Sequence, residues 1–460
     1  MRVVSLRYLL LTSLLACSSA APPPRAPAKP AAETDPDGPH RAAVAAQVQP
    51  YVDAGIVNGL VIGLYDAGER EIYGFGQGPG GAPPTGATLY ELGSVTKVYT
   101  GLLLADAVQR REVSLEDEVA SLLPPGITVP TRDKAAITLR QLALHTSGLP
   151  RLPPSLMQEQ RPDPYAGYGE EHLYQDLLRT QLVSTPGSVV SYSNYGTGLL
   201  GHALGRKIGG GYAAALTERV LAPLGLRHTH VGFPAGAPRA EGTDHDGKPA
   251  APWTFDVLAG AGALVSNVRD QLTLIDAELD AYAGGKLPLR GPMRLTQEPQ
   301  DEHNAPQSGI GWILDREGRY WHNGGTGGFH SFVAFDPKTR RGVVVLASTS
   351  TTLVDRIGGA MFDVLDGETP KPPVFPSAEQ LQRLAGTYDL LGSKVVVKAD
   401  GAKLYIEAPD EAPLRLLPVS ELAFFIEPLQ GVVAFQEDGG TITGLLFSMN
   451  GQNVHAARVE

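Results

Sequence analysis

The spacing of apolar and polar positions changes several times along the chain, and each change marks a predicted element. Between residues 44 and 52 apolar side chains recur at helical spacing, and Gly55 follows as a helix stop. Two short apolar runs come next, at 60–65 and 71–75, separated by the turn-forming triplet Asp-Ala-Gly. This part of the chain is therefore predicted to be a helix followed by a β-hairpin.

The middle of the chain, to about residue 224, is predicted to be mostly helices interrupted by Pro and Gly, the clearest at 138–144 and 198–207. Strand-like runs return later and a helix closes the pattern. They lie at 311–314, 319–322, 331–335 and 342–347, with the helix at 354–365. The hairpin and the late strands are expected to form one mixed sheet flanked by helices, with an all-helical lobe inserted between them. This is an α+β fold with a cleft at the junction.

The last part of the chain has the pattern of a separate all-β domain. Residues 367–376 (GETPKPPVFP) form a linker by composition. From 377 to 460 short strand-like runs alternate with turns such as Asp400-Gly401. We predict a small C-terminal β-barrel-like domain at 377–460, after a main domain at 39–366.

The N-terminus is predicted to be an export signal. Two arginines precede a leucine-rich run that is too short to span a bilayer, and the run ends in Leu14-Leu15-Ala16-Cys17-Ser18. This ending resembles a bacterial lipobox. Residues 1–17 are therefore expected to be a lipoprotein signal with lipidation at Cys17, followed by a Pro/Ala-rich tether at 18–38. The alternative is an ordinary secretory signal cleaved near Ala20.

A lipoprotein of this kind is exported and lipid-anchored in the cell envelope. Serine after Cys17 resembles the outer-membrane sorting choice of a Gram-negative cell, so the periplasmic face of the outer membrane is the expected location. The formal net charge of −11 argues against nucleic-acid binding and against a basic membrane-binding surface. The lipid anchor is therefore the membrane contact that we expect. Composition gives no oligomeric state.

Metal and disulfide chemistry find little support in the sequence. Cys17 is the single cysteine, which excludes internal disulfides and cysteine metal sites. His228, His230 and His245 lie in Gly/Pro-rich loops with no third ligand at a recognised spacing. No metal and no other cofactor are expected.

The candidate chemistry begins at Ser94-Val95-Thr96-Lys97, a Ser-x-x-Lys motif followed by a run that is apolar on nearly every side. A helix of that kind is buried. If the helix starts at Ser94, the two motif side chains lie one turn apart on the same face. A serine becomes a nucleophile when a base takes its proton, and a lysine can be that base when burial lowers its pKa. By itself the Ser-x-x-Lys motif is weak evidence for a catalytic serine, and the segments that follow strengthen that interpretation.

Two further segments carry compatible side chains. Tyr192-Ser193-Asn194 lies in a loop just before a predicted helix. A tyrosine can pass protons on, and an asparagine amide can hold a substrate carbonyl. His322-Asn323-Gly324-Gly325 lies at the end of a strand-like run, where glycine lets a substrate approach the strand edge. A free N–H of that strand could pair with the Ser94 N–H as an oxyanion hole.

Taken in order, these motifs resemble the penicillin-recognising serine hydrolases, in the branch that holds class C β-lactamases, D-Ala-D-Ala carboxypeptidases and family VIII esterases. The flanking sequences His145-Thr146-Ser147-Gly148 and Pro223-Leu224-Gly225-Leu226 agree. The resemblance covers about residues 40–366 and implies the fold of that family and a serine acyl-enzyme without a metal. The tail resembles, more loosely, the lipocalin-like domain often appended to such proteins.

The resemblance also implies roles for single residues. Ser94 would be the acylated nucleophile, and Lys97 and Tyr192 would transfer protons. The remaining residues share a substrate-facing role. They are Asn194, His322 and Gly324 for substrate binding, and the backbone N–H groups of Ser94 and Gly325 for the oxyanion hole.

His322 departs from the family pattern, because most β-lactamases and peptidases of this family have a lysine there. Lysine is a fixed cation for a substrate carboxylate, whereas histidine, with an ordinary pKa of about 6.5, is mostly neutral at neutral pH. We therefore expect hydrolysis of small esters or peptide-like amides. Two alternatives stay open: a β-lactamase or D-Ala-D-Ala carboxypeptidase acting on β-lactams or peptidoglycan stems, and a non-catalytic binding protein of the same fold.

Overall fold

A computed structural model of the protein describes residues 35–157, 161–300 and 309–459. The predicted signal, the lipidation site Cys17 and the tether as far as residue 34 lie outside these ranges. Among the helices in the described ranges, none has the length and apolar character needed to cross a membrane.

The chain from Asp35 to Glu460 forms one compact unit. Its first residues already contact the body. Arg269 Nη2 donates a hydrogen bond to the Asp35 carboxylate at 2.6 Å, and Ile72 N donates one to Pro36 O at 2.8 Å. Contacts with the body therefore begin inside the segment predicted as a tether.

The main domain contains helices α1 to α9 and strands β1 to β9. The helices span Arg41–Asp53, Thr96–Gln109, Leu139–Ala143, Glu170–Arg179, Asn194–Ile208, Gly211–Leu216, Val268–Ala283, Arg290–Gln297 and Val354–Leu365. The strands span Gly59–Asp66, Glu69–Gly76, Tyr90–Glu91, His230–Val231, Leu264–Ser266, Ile313–Leu314, Tyr320–Gly325, His330–Asp336 and Arg341–Ala347. The predicted hairpin and the late strands are present, and the predicted helix at 354–365 has the same bounds as α9.

Strands from both ends of the domain meet in one six-stranded sheet of order β2-β1-β9-β8-β7-β6. Its neighbouring strands are antiparallel, and parallel pairing occurs in isolated bridges such as Thr243 with Thr349. Successive residues of β9 face opposite sides. Val344 packs in the core shared with α2 and α7, and Val345 in the core shared with α1 and α9. Burial on both faces explains the continuous apolar runs, and the α+β fold class is confirmed.

The sequence pattern predicted no helix or strand between residues 224 and 311. It contains α7, α8 and two strands of a small sheet of order β3-β5-β4. Helix α7 has polar residues inside its buried face: Gln271 and Glu278 are both fully buried. Their partners come from distant segments, since Gln271 Nε2 donates to Tyr99 Oη at 2.7 Å and Gln297 Nε2 donates to Glu278 Oε2 at 2.6 Å. Such buried polar residues interrupt the apolar pattern that predicts a helix.

The C-terminal domain is a closed eight-stranded barrel preceded by a short helix, α10, at Ala378–Leu384. The predicted barrel is confirmed, and α10 was not predicted. Strands β10 to β17 span Gly386–Leu390, Ser393–Asp400, Lys403–Glu407, Leu414–Pro418, Ala423–Ile426, Gly431–Asp438, Thr441–Met449 and Gln452–Arg458.

The barrel packs directly on the main domain. Leu417 belongs to the apolar core formed by α1, α9 and the sheet. Arg415 is 2% exposed, and its guanidinium donates to the backbone oxygens of His245 at 2.5 Å and Gly55 at 2.9 Å. The barrel is therefore fixed on the main domain.

Candidate active site

Ser94 lies in a single 3-10 turn, Gly93–Val95, that leads into α2. The regular helix starts at Thr96, two residues later than the sequence suggested. Lys97 still lies on the serine side, with its Nζ 3.1 Å from Ser94 Oγ. Helix α2 is buried on all sides from Thr96 to Ala107, which places the serine–lysine pair at the centre of the domain.

Lys97 is 2% exposed, and its amine has three oxygen partners. The distances from Nζ are 3.1 Å to Ser94 Oγ, 2.9 Å to Asn194 Oδ1 and 2.7 Å to Ala261 O. The Ala261 carbonyl can only accept. Asn194 presents its oxygen because its Nδ2 donates to Tyr165 Oη at 2.9 Å. A neutral amine has two N–H groups for these two oxygens and one lone pair left for the Ser94 hydroxyl proton.

The protonation states of the pair support this assignment. Burial, with a smaller contribution from the Arg151 charge, holds the pKa of Lys97 well below its usual range. Burial raises the pKa of Tyr192 to about 12, against a smaller opposing effect of its hydrogen bond with Ser94. The neutral lysine with the protonated tyrosine is therefore favoured over an ammonium with a phenolate. Lys97 is suited to take the serine proton, and Tyr192 is suited to donate one.

Tyr192 is held by ring contacts on several sides. The Lys97 amine lies 4.8 Å from the ring centroid, and the Arg151 guanidinium lies 5.3 Å from it. The His145 ring packs on it with centroids 4.4 Å apart. The loop is fixed by Ser193, whose side chain caps α5 by accepting a hydrogen bond from Gly196 N at 2.9 Å.

The end of β7 approaches the Ser94 turn so closely that both sides require glycine. A Cβ at Gly324 would lie 2.0 Å from Leu92 O and 2.6 Å from Ser94 N. A Cβ at Gly93, whose φ is +51°, would lie 2.8 Å from Gly325 N. The backbone of Ser94 and the backbone of Gly325 are therefore neighbours, as the predicted oxyanion hole requires.

His322 is buried beside this edge and is 3% exposed. Its Nδ1 donates to Asn323 O at 2.5 Å. Burial lowers the pKa of His322 to about 4. The ring is therefore neutral at neutral pH, and its titration lies well below the ordinary histidine range from which the sequence argument started.

The beta-lactamase family model matches residues 44–368, which is most of the main domain. The chain belongs to the beta-lactamase family. Its members named below are serine hydrolases, and this protein is a serine hydrolase of the same family.

Several members of the family resemble the chain at moderate identity. A D-alanyl-D-alanine-carboxypeptidase/endopeptidase, AmpH, of Escherichia coli K12 is 28% identical over 341 residues, covering 70% of this chain and 87% of AmpH. A beta-lactamase of the same organism is 28% identical over 320 residues, covering 60% and 80%. The crystal structure of a class C beta-lactamase from Rhodobacter sphaeroides superposes with a TM-score of 0.61 at 26% identity, covering 71% of this chain and 99% of that one.

The predicted residues share one cleft of about 570 Å³. Ser94, Tyr192, Asn194 and the strand segment 322–325 line it, and Lys97 lies beneath them. No group of three or more His, Cys, Asp or Glu side chains in the described ranges is placed to hold a metal ion.

A second cavity, apolar and of about 210 Å³, adjoins some of the same residues. Lys97, Tyr192 and His322 face it, and the rest of its lining is mostly apolar side chains. Those side chains are Ala143, Leu144, Val190, Leu200, Ile310, Trp312 and Ile313.

Two residues that support the site were not identified from the sequence. His145, predicted only to shape a turn, has φ +60° and accepts a hydrogen bond from Ser193 N on its Nδ1 at 3.2 Å. Burial lowers the pKa of His145 to about 3, so it is a neutral ring packed on Tyr192. Its place in the flanking motif was the sequence signal that could have identified it.

Glu91 is a second missed residue. Its carboxylate accepts hydrogen bonds from Thr326 Oγ1 at 2.6 Å and from Trp253 N at 2.9 Å. Burial raises the pKa of Glu91 to about 7. This side chain links the segment before Ser94 to the residue after Gly325, and so fixes the two sides of the predicted oxyanion hole relative to each other.

Proposed function

We propose that the protein hydrolyses small esters or peptide-like amides through an acyl-enzyme on Ser94. The observation that carries the proposal is the environment of the buried Lys97 amine. Two of its partners, Asn194 Oδ1 and Ala261 O, can only accept hydrogen bonds, which leaves the lone pair of the neutral amine for the hydroxyl of Ser94. A base in this position takes the serine proton as the oxygen attacks the substrate carbonyl.

The remaining steps use groups already in place. The tetrahedral oxyanion would accept hydrogen bonds from the N–H groups of Ser94 and Gly325, which stabilise charge that develops in the transition state. Tyr192, protonated and lining the cleft together with Ser94, would donate the proton that the leaving group needs. Water, deprotonated by the same pair, would then release the acid and regenerate Ser94.

Substrates without a carboxylate at the β7 edge suit this site because His322 is neutral there. Asn194 has one amide hydrogen left after its bond to Tyr165 for a substrate carbonyl. We therefore place neutral esters and amides first.

A β-lactamase or D-Ala-D-Ala carboxypeptidase activity is the second candidate, and Arg151 favours it. Its guanidinium lines the cleft next to Tyr192, and within the described ranges it has no ion-pair partner. It could therefore pair with a substrate carboxylate in place of the strand lysine that other family members use. The names of the E. coli relatives support the same candidate.

A substrate panel tests both candidates, with Ser94→Ala as the blank. p-Nitrophenyl esters, a coloured cephalosporin and an acyl-D-alanyl-D-alanine peptide would be compared on one preparation. We expect Ser94-dependent hydrolysis, with the highest kcat/KM for the neutral ester. A preference for the cephalosporin or the peptide would establish the second candidate. Failure of a fluorescent phosphonate to label wild-type Ser94 would leave the non-catalytic binding protein.

We also propose that the protein is lipid-anchored at Cys17 and faces the periplasm from the outer membrane. The lipobox-like ending of the signal and the Pro/Ala tether support this location. A lipoprotein with several acyl chains is retained firmly, so the wild type should fractionate with membranes, and Cys17→Ser should be released or left unprocessed. Recovery of the wild type in a soluble periplasmic fraction would contradict the anchor.

A further inference from the structure

The C-terminal barrel reaches into the catalytic cleft through Glu427. This residue begins a 3-10 turn, Glu427–Leu429, directly after β14. Glu427 lines the same cleft as Ser94, together with other residues of the main domain. Glu427 lies outside residues 44–368, the part of the chain that the beta-lactamase family model covers. The barrel therefore adds a charged group that the family domain does not supply.

The Glu427 carboxylate is held in a fixed position. Thr351 Oγ1 donates to its Oε2 at 2.8 Å, and Thr352 N donates to Oε1 at 3.0 Å and Oε2 at 3.2 Å. Thr351 and Thr352 lie in the loop between β9 and α9, which also lines the cleft. The same loop contacts the oxyanion side of the site, since Ser350 Oγ donates to Thr326 O at 2.7 Å.

The charge of Glu427 is not neutralised by a basic side chain. In the described ranges the Glu427 carboxylate forms no ion pair with a Lys, Arg or His side chain, and its hydrogen bonds come from a hydroxyl and a backbone amide. The half-buried carboxylate therefore presents a negative potential to any group bound at that end of the cleft. In a partly desolvated cleft this attracts a cation and repels a carboxylate.

We propose that Glu427 is a specificity-determining residue of the hydrolase cleft, which selects substrates carrying a cationic group, such as an ammonium, and disfavours a carboxylate at the same end. This inference rests on the proposed function of Ser94. It gives the barrel a role in substrate selection, because the docked barrel presents Glu427 rigidly through Arg415 and Leu417.

Two matched substrate series test the proposal by placing charge on either side of the scissile bond. For the leaving group they are acetylthiocholine, its neutral isostere 3,3-dimethylbutyl thioacetate, and anionic S-acetyl-3-mercaptopropionate, with thiol release as the readout. For the acyl part they are p-nitrophenyl esters of 4-(trimethylammonio)butanoate, 5,5-dimethylhexanoate and glutarate. The variants are Glu427→Gln, which keeps the shape and an acceptor oxygen, and Glu427→Asp, which keeps the charge.

In at least one series, Glu427→Gln should lower the cationic-to-neutral ratio of kcat/KM about threefold to fivefold. It should raise the anionic-to-neutral ratio by a similar factor. Both factors correspond to the contribution of one solvent-accessible ion pair. Glu427→Asp should restore part of both ratios. Glu421→Gln, an exposed barrel carboxylate with the same charge change, should leave both ratios unchanged. Unchanged ratios in both series for Glu427→Gln, or equal loss on all substrates, would overturn the proposal.

A binding measurement separates this proposal from the hydrolase proposal. The dissociation constants of the intact cationic and neutral substrates would be measured on Ser94→Ala, with and without Glu427→Gln. A charge preference in binding that disappears with Glu427→Gln supports the cleft assignment even if the wild type fails to hydrolyse these compounds. Binding without any charge preference contradicts it, whatever the turnover.

Discussion

At the residue scale, the proposed chemistry depends on the protonation state of one buried amine. Lys97 has lost the water that normally stabilises its charge, and its oxygen partners can all be satisfied by a neutral amine. Tyr192 shifts in the opposite sense and stays protonated. Two groups whose environments separate their pKa values in this way are suited to the distinct roles of base and acid that we propose for them.

The first prediction concerns this pair. Because neutral Lys97 is the active form, kcat/KM should rise with pH through its lowered pKa and then level off. Lys97→Ala should be nearly as damaging as Ser94→Ala, and adding Tyr192→Phe to it should cost little more, since residues acting as a unit lose activity non-additively. A double-mutant cycle on a neutral ester measures this. Losses that simply multiply would contradict a shared proton-transfer role.

The second prediction concerns His322. Since its pKa is lowered to about 4, it gives no cation to a carboxylate between pH 5 and 8. The KM of an anionic substrate relative to a neutral one should therefore stay flat over that range. His322→Lys should raise the relative kcat/KM for a cephalosporin about fivefold, the worth of one partly solvated ion pair. A relative KM that climbs near pH 6.5 would show that the ring titrates at its ordinary pKa.

At the scale of secondary-structure elements, the contact between the turn before α2 and the end of β7 sets the geometry of the predicted oxyanion hole. These two backbone segments are far apart in the sequence, yet they pack so closely that no Cβ atom fits between them. Neither segment forms an oxyanion hole alone. The hydrogen bonds of Glu91 to Thr326 and of Ser331 Oγ to Leu92 O, at 2.7 Å, fix their spacing.

The third prediction tests this spacing. Gly324→Ala places a Cβ against Leu92 O, so the strand end must move away from Ser94. We expect kcat to fall about 100-fold or more, as when one oxyanion donor is lost, with folding retained by circular dichroism. Gly359→Ala is the matched control, because its Cβ on α9 meets nothing within 4 Å. Near-wild-type kcat in Gly324→Ala would exclude a tight oxyanion hole at this edge.

At the scale of the whole molecule, the barrel and the main domain form one structural unit. The composition of residues 367–376 indicates a linker, yet the barrel beyond it packs on α1 and α9 and anchors Arg415 in the main domain. Domain docking of this kind couples the stability of the barrel to the geometry of the cleft, since Glu427 and Thr352 are hydrogen-bonded across the same interface.

The fourth prediction concerns that anchor. Arg415→Met keeps an apolar stem but leaves the carbonyls of His245 and Gly55 without their donors. The free energy of unfolding should fall by roughly 1–3 kcal/mol, the cost of losing hydrogen bonds made by a charged group, as measured by denaturant unfolding. Lys394→Met, at an exposed barrel position, is the control and should change it by less than about 0.5 kcal/mol. An unaffected Arg415→Met would show that the barrel is only loosely attached.

The sequence by itself determined the helices and strands that are encoded by the spacing of neighbouring apolar residues and by turn residues. The β1–β2 hairpin, α9, the late strands and the barrel follow from periodicity and turn residues. The order of the Ser94, Tyr192 and His322 motifs indicated the family, because each motif is contiguous. Residues whose contacts depend on burial, such as Gln271 in α7, gave no such signal.

Only the tertiary structure decided the chemistry of those residues. Burial depends on what packs around a side chain, and it is burial that lowers the pKa of Lys97, makes His322 neutral and raises the pKa of Tyr192. Glu427 reaches the cleft from far along the chain, and no spacing rule connects it to Ser94. The sequence supplies the reactive groups, and long-range packing sets their charges and their neighbours.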